Sequence, residues 1–500
     1  MICISIQPKS LREAKQLLKI TGKLTDIVEL RLELINSNNY KEIFKSHKPK
    51  LIITCRKSKH SYNNSDISVL HDAIESGAEY VDVDIAEGGL AIADVIQHAR
   101  MYPFLKTVGI KNWKLKFDDN ITRHVQDKTR KTKVILSYHN FEQTPPNIGR
   151  IFSEMKKYGA DILKIAVKAN DISDNVKIFK LLGTVKKQNE KLTAFCMGEK
   201  GEVSRILSPK FGGYMTYCSL EEGKETGDGQ LPIEKMLNVY NYNSINQNTK
   251  IFGLIGNPVE HSWGIYLHNE YFRKEKINAV YLNFLTDDTK FFLKSYSDYL
   301  TGASVTIPFK ETFAKLVDEL SPEAYMTKSV NTILRVKNKW KGYNTDYKAI
   351  YDSLKHKAKG KIVAVIGTGG SARSTVCAAM SLGAKVFVAG RNLTNARKLS
   401  LEFGCKYTDL RNIDSVKPDI IINTTPLGMQ PYVNASPIPA SVIKKNMLVV
   451  DFVYTPPQTK LLKIAKAKGC KTISGVQIFK RQAKLQQELF LSAFHSEDVK

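Results

Sequence analysis

KVILSYHNFEQTPPNIGRIFSEMKKYGADILKIAVKANDISDNVKIFKLLGTVKKQNEKLTAFCM, residues 133–197, holds three short apolar runs: KVILSYH (133–139), ILKIAV (162–167) and KLTAFCM (191–197). A helix-length segment separates each from the next. Apolar runs of this length with crossover-sized connections read as buried parallel strands in βα units. The rhythm continues outward on both sides. Upstream lie ICISI (2–6), DIVELRLE (26–33), LIITCR (51–56) and YVDVDI (80–85), and downstream GYMTY (213–217). Eight such units predict an α/β fold that begins with a (β/α)8 TIM barrel. Barrel chemistry sits at the C-terminal ends of the strands, and Glu29, Arg31, Arg56, Asp84, His139 and Lys164 fall there.

Beyond residue 238 the pattern changes. VYNYNSINQNT (239–249) is polar, rich in asparagine and without periodicity, as expected of a linker. IFGLIG then opens a second αβ series and KIVAVIGTGGSARS, from 361, a third. The expected organisation is a barrel over 1–238, a linker over 239–249, a substrate-binding lobe over 250–350 and a Rossmann lobe over 351–475. C-terminal helices in 476–500, which contain ELFLSAF, would pack back to complete the substrate lobe.

Composition narrows the classes further. The chain is 42% hydrophobic, with no apolar run near the ~20 residues of a membrane helix. MICISIQPKS reads as a strand rather than a signal peptide, so a cytoplasmic location is expected. Cys3, Cys55, Cys196, Cys218, Cys377, Cys405 and Cys470 form no CxxC pair, which argues against a disulfide framework and a zinc site. The net charge of +26 is spread along the whole length, so a solvated lysine-rich surface is favoured over a nucleic-acid site. Such a field suits anionic substrates and a phosphate-bearing cofactor.

In the first half, Lys164 has aliphatic neighbours on both sides, an environment that favours a neutral amine able to attack a ketone. A solvent-pointing strand-end lysine is an equal alternative from position alone. His139 can shuttle a proton near neutral pH. Arg31, Arg56 and Arg205 can take a carboxylate through bidentate contacts. The segments ELRLE, ITCR, YVDVD, SYHNF followed by TP, ADILKIA and MGEKGEVSR resemble the ordered motifs of type I 3-dehydroquinate dehydratases. The resemblance implies Lys164 as Schiff-base lysine and His139 as general acid/base. It also implies Arg205 and Gln230 as holders of substrate carboxylate and hydroxyls, supported by Glu29, Arg31 and Arg56. Asp84 stands where that family has a glutamate assisting the histidine, and Thr226 where it has serine; altered rate rather than lost activity is expected.

In the second half, GTGGSAR (367–373) lies between a strand and a helix-like run, as a phosphate-binding turn should. Gly367, Gly369, Gly370 and Ser371 would approach a pyrophosphate. Arg391 replaces the acidic residue that binds an NAD ribose and suits the 2′-phosphate of NADP. Lys310 and Asp346, in loops after strands, could meet across a cleft as a proton-delivering pair or as a structural salt bridge. SVTIPFK, SVNT, GYNTD, GTGGSAR, INTTPLGM and DFVYTP resemble, in order, the motifs of shikimate dehydrogenases. That resemblance implies Lys310 and Asp346 as the catalytic pair, with Ser262, Thr306, Asn331, Tyr454 and Gln482 on substrate. Asn423, Thr424, Met429 and Gly475 would lie along the NADP(H). Gly264 and Ile265 depart from a family pattern of two serines and a proline. One carboxylate donor is thereby lost and the pocket is expected to gain room, which leaves quinate open as an alternative substrate.

The two resemblances agree chemically, since 3-dehydroshikimate is the product of the first reaction and the substrate of the second. A reading in which one half is a regulatory binding module is opposed by the retention of Lys164, His139, Lys310 and Asp346. No metal, membrane or nucleic acid is expected as partner.

Overall fold

A computed structural model describes residues 1–35, 40–44, 48–56, 66–107, 132–260 and 262–495. Eight strands form the first sheet: β1 (Ile2–Ile6), β2 (Ile27–Arg31), β3 (Lys50–Thr54), β4 (Tyr80–Asp84), β5 (Lys133–Asn140), β6 (Ile162–Lys168), β7 (Leu192–Met197) and β8 (Thr216–Cys218). Every paired neighbour is parallel, and β1 pairs with both β2 and β8. The Tyr214 N–H donates to Leu192 O at 2.8 Å, so the ring nearly closes at β7 and β8. Strand alternation divides the side chains between two environments. Ile4, Val28, Ile53, Val81, Leu136 and Ile165 face the surrounding helices. Cys3, Ile27, Ile52, Tyr80, Ile135 and Ile162 fill the floor of the interior. The buried layer above that floor is polar: Ser5, Glu29, Asp82, Ser137 and Lys164.

The second sheet has the order β10-β9-β11-β13-β14-β12. Its strands are β9 (Lys250–Gly256), β10 (Ala279–Leu285), β11 (Leu300–Val305), β12 (Glu319–Leu320), β13 (Thr332–Val336) and β14 (Lys339–Tyr343). The third is wholly parallel with the order β17-β16-β15-β18-β19-β20: β15 (Ile362–Ile366), β16 (Lys385–Gly390), β17 (Lys406–Asp409), β18 (Ile420–Asn423), β19 (Leu448–Asp451) and β20 (Lys471–Ile473). Its strand order reverses between β15 and β18, and ligands of doubly wound sheets bind beyond the strand ends at such a switch point.

The last helix, Gly475–His495, packs on the second sheet through Phe490, whose ring lies 4.7 Å from that of Phe252. The rest of the predicted C-terminal segment, 496–500, lies outside the described residues. Residues 239–249 are a docked strap rather than a free tether. Tyr240, Tyr242 and Ile245 are buried, and Lys210 donates to the carbonyls of Gln247 and Thr249. The polar composition of this segment conceals its three apolar anchors.

Candidate active sites

In the barrel, Lys164 points inward while Leu163 and Ile165 point away from it, so its aliphatic sequence neighbours do not define its surroundings. The expectation of an apolar setting is therefore corrected. Lys164 Nζ donates to Glu29 Oε1 at 2.8 Å and Asp82 Oδ2 at 2.9 Å, and lies 4.0 Å from the Tyr217 ring centre. Burial pushes both carboxyls up, but Lys164 and then Arg56 outweigh it and leave each below its ordinary value. Both carboxylates are thus favoured in their ionised form, and the second oxygen of each also accepts a hydrogen bond. Ser137 donates to Asp82 Oδ1 at 2.6 Å and Ser5 donates to Glu29 Oε2.

Above this layer His139 Nδ1 meets Asp84 Oδ2 at 2.7 Å. Burial, then the nearby Arg56, keep the imidazole below its ordinary value against the pull of Asp84. A neutral ring with one nitrogen committed to a carboxylate leaves the other as a base. The loop 226–230 closes over the side. Arg31 donates to Thr226 O at 2.6 Å, Thr226 Oγ1 donates to Ser5 Oγ at 2.6 Å, and Gln230 Oε1 accepts from Thr226 N at 2.9 Å. A hydroxyl chain therefore runs from this loop through Ser5 and Glu29 to Lys164. Arg205 is 1% exposed and donates to Asp228 O at 3.0 Å, and its Nε has no hydrogen-bond partner among the described residues. Burial lowers it to about 10. Its other terminal nitrogen donates to Tyr217 O at 3.4 Å, and a buried guanidinium with one N–H still unpaired is a natural receptor for an anionic ligand group.

Between the two lobes, Lys310 Nζ donates to Asp346 Oδ2 at 2.6 Å. Both belong to helix first turns, Lys310–Leu316 and Thr345–Leu354, rather than to the loops expected from sequence. Asn331 and Gln482 converge through Thr345, whose hydroxyl donates to Gln482 Oε1 at 3.2 Å and whose N–H donates to Asn331 Oδ1 at 2.8 Å. Thr306 follows β11, with its methyl group against Gly256. Ser262 lies within reach of the Tyr454 hydroxyl, and Trp263 packs edge-on against Tyr454 with ring centres 5.3 Å apart. The anticipated room at Gly264 is absent: a Cβ there would stand 3.2 Å from both Ser262 Oγ and Tyr281 Cε1, because the Tyr281 ring occupies that space.

The glycine turn sits at the switch point. Gly367 has φ +121° and its Cβ position is filled by the Thr424 hydroxyl, so both conformation and space demand glycine. Gly369 precedes the helix Gly370–Ser381, and Ser371 Oγ accepts from Lys310 Nζ at 3.3 Å. Met429 is half-buried beside the left-handed Gly428, and Gly475 packs against the Val453 carbonyl. Arg391 is exposed just past β16. Asn423 is fully buried, donates to Asp451 Oδ1 at 2.9 Å and accepts from Thr425 Oγ1 at 2.7 Å, so it shapes the turn around it.

Several residues of these sites escaped the reading of the sequence. Asp82 lies two places before Asp84 on one strand face, a spacing that could have revealed it. Ser5, Ser137 and Tyr217 carry no local signal. Arg373 sits inside the glycine turn motif itself, where its donation to Thr327 O at 2.9 Å and its pairing with Glu311 at 3.6 Å tie the lobes together.

A buried lysine between carboxylates in a barrel, and a Lys–Asp pair facing a dinucleotide turn, describe a two-headed enzyme. The comparisons with known proteins agree. The type I 3-dehydroquinase family model matches residues 2–247, the shikimate dehydrogenase substrate binding domain residues 254–333, and the model described as NADP oxidoreductase, coenzyme F420-dependent, residues 362–454. The chloroplastic bifunctional 3-dehydroquinate dehydratase/shikimate dehydrogenase of Arabidopsis thaliana is 36% identical over 93% of this chain and 77% of its own length. The shikimate biosynthesis protein AroDE of Chlamydia pneumoniae is 28% identical over 99% of this chain and 96% of its own. A shikimate dehydrogenase (NADP(+)) of Sulfolobus acidocaldarius is 39% identical over 48% of this chain and 88% of its own. The chain belongs to the family of bifunctional 3-dehydroquinate dehydratase/shikimate dehydrogenases.

Proposed function

We propose that the barrel, residues 1–238, dehydrates 3-dehydroquinate and that the lobes 250–350 and 351–475 reduce the resulting 3-dehydroshikimate to shikimate with NADPH. The observation that carries this reading is the presence, on one chain, of Lys164 between Glu29 and Asp82 and of Lys310 against Asp346. In the barrel, Lys164 hands a proton to a flanking carboxylate and adds to the substrate ketone. Loss of water leaves an iminium, which acidifies the adjacent carbon. His139, oriented by Asp84, removes that proton and then protonates the departing hydroxyl, after which water hydrolyses the product iminium and frees Lys164. Arg205 takes the substrate carboxylate, while Thr226 and Gln230 meet its hydroxyls.

The glycine turn fits a dinucleotide: Gly367 and Gly370 leave no space for a Cβ, and a helix N-terminus follows. NADPH, when bound, supplies hydride to the substrate carbonyl carbon. Lys310 then delivers a proton to the oxygen, with Asp346 holding the ammonium in place. Ser262, Thr306, Asn331, Tyr454 and Gln482 orient the substrate, and Arg391 selects the 2′-phosphate. The test is one tube containing the chain, 3-dehydroquinate and NADPH, followed for enone formation and NADPH loss. NADPH oxidation driven by 3-dehydroquinate alone supports both heads. Enone without oxidation sinks the reductase assignment and makes quinate with NADP+ the next substrate. Oxidation only on adding 3-dehydroshikimate sinks the dehydratase assignment.

A further inference from the structure

The two heads share packed structure beside the dehydratase site. Phe179 and Phe211 of the barrel stack at 4.1 Å, and the rings of Tyr296 and Tyr299 from the second half stand edge-on to them. Tyr296 closes the helix Thr289–Tyr296, is fully buried, and donates its hydroxyl to Ile172 O, across the seam, at 2.9 Å. The same hydroxyl reaches the Asn175 side chain. Asn175 is itself fully buried and uses every polar atom of its side chain. Its Nδ2 donates to Ile172 O and Lys200 O, both at 2.7 Å, and its Oδ1 accepts from Ser204 N at 3.2 Å. Ser204 immediately precedes Arg205 on the helix Glu202–Ile206, and its Oγ accepts from Cys196 N at 2.8 Å.

We infer that Tyr296, a residue of the reductase half, is a positioning residue for the dehydratase. Through Ile172 and Asn175 it holds the turn 200–204 and so aims Arg205 at the substrate carboxylate. The inference rests on the reading of Arg205 as the carboxylate receptor. A buried asparagine with no spare capacity cannot compensate for the lost donor without releasing one of its own contacts. Beside this contact Lys200 pairs with Asp287 of the second half at 3.1 Å, so the other head grips one end of the turn directly and reaches the other end through Asn175. The second head is then part of the first head's binding site rather than merely tethered to it.

The full chain with Tyr296→Phe keeps the ring and removes only the hydroxyl. The dehydratase KM for 3-dehydroquinate should rise about three- to tenfold, the effect of one lost hydrogen bond, with kcat nearly unchanged. Reductase constants with 3-dehydroshikimate and NADPH should stay within about twofold of the parent chain. Arg205→Lys alone should raise the same KM, and Tyr296→Phe should add little in its presence, since both act through one guanidinium. An unchanged KM in Tyr296→Phe, full additivity with Arg205→Lys, or equal losses in both heads would each overturn the inference. An unchanged KM in Arg205→Lys would instead remove the underlying reading of the barrel site.

Discussion

Replacing Gly370 with alanine asks how closely the dinucleotide turn is fitted to the reductase lysine. A Cβ at this position would stand 2.9 Å from both Lys310 Cβ and Ser329 Oγ, and 3.1 Å from Lys310 Cδ. Carbon contacts relax at about 3.5–4.0 Å, so the turn or Lys310 must yield by about 0.6–1.1 Å. Gly370 is not among the left-handed glycines, and the perturbation is therefore purely steric. Overpacking of this kind costs about 1–3 kcal/mol. More important, it falls on the side chain whose Nζ lies 2.6 Å from Asp346. Misplacing a reacting group by ~1 Å lowers turnover by about 10²-fold. We expect Gly370→Ala to lose about that much reductase kcat, with a raised KM for NADPH, while the dehydratase is untouched. The chain supplies its own control: enone should accumulate from 3-dehydroquinate as fast as in the parent, without NADPH loss. Reductase turnover within about threefold of the parent would refute the argument, because the turn would then have absorbed the methyl elsewhere.

Other perturbations separate the remaining roles. Asp84→Asn should lower dehydratase kcat by about 10²-fold or more, since His139 loses the carboxylate that orients it; undiminished turnover would remove Asp84 from the mechanism. Arg391→Asp should weaken NADPH far more than NADH, and equal losses in steady-state KM would sink the 2′-phosphate assignment. His268 is buried against Tyr281, and burial lowers it from 6.5 to about 3. Its folded value lies below the unfolded one, so its contribution is complete above pH 6.5 and is lost as pH falls toward 3. By pH 5 the loss is about 2 kcal/mol, readable in urea unfolding of the parent; a His268→Gln chain with the same pH slope would count against it.

The eight barrel strands were legible because a buried parallel strand reads as a short apolar-rich run. The outward face and the interior floor supply enough apolar residues in each run from ICISI to GYMTY for it to stand out around the inward Ser5, Glu29, Asp82, Ser137 and Lys164. The glycine turn was legible because its requirement is local: a strand, a close backbone approach and a helix start follow one another in sequence. Residues 239–249 were harder to read. Tyr240, Tyr242 and Ile245 have no period that announces burial, and only their docking against the two heads hides them from solvent.

Sequence by itself determined which chemistry the chain carries, since the motifs that hold Lys164, His139, Lys310, Asp346 and the glycine turn are each a few consecutive residues set by short-range periodicity, although Lys164 stands inside β6 rather than at its end and Lys310 and Asp346 open helices. Only the tertiary structure decided what surrounds them. Lys164 has aliphatic neighbours along the chain, yet in space it faces Glu29, Asp82 and Tyr217, because strand alternation turns it inward and barrel closure brings β2, β4 and β8 around it. Gly264 leaves no vacancy because Tyr281, on the strand beside its helix, fills the space. Tyr296 reaches the other head across 124 residues of chain. Contacts between residues so far apart in sequence depend on how layers stack, and no local pattern encodes that.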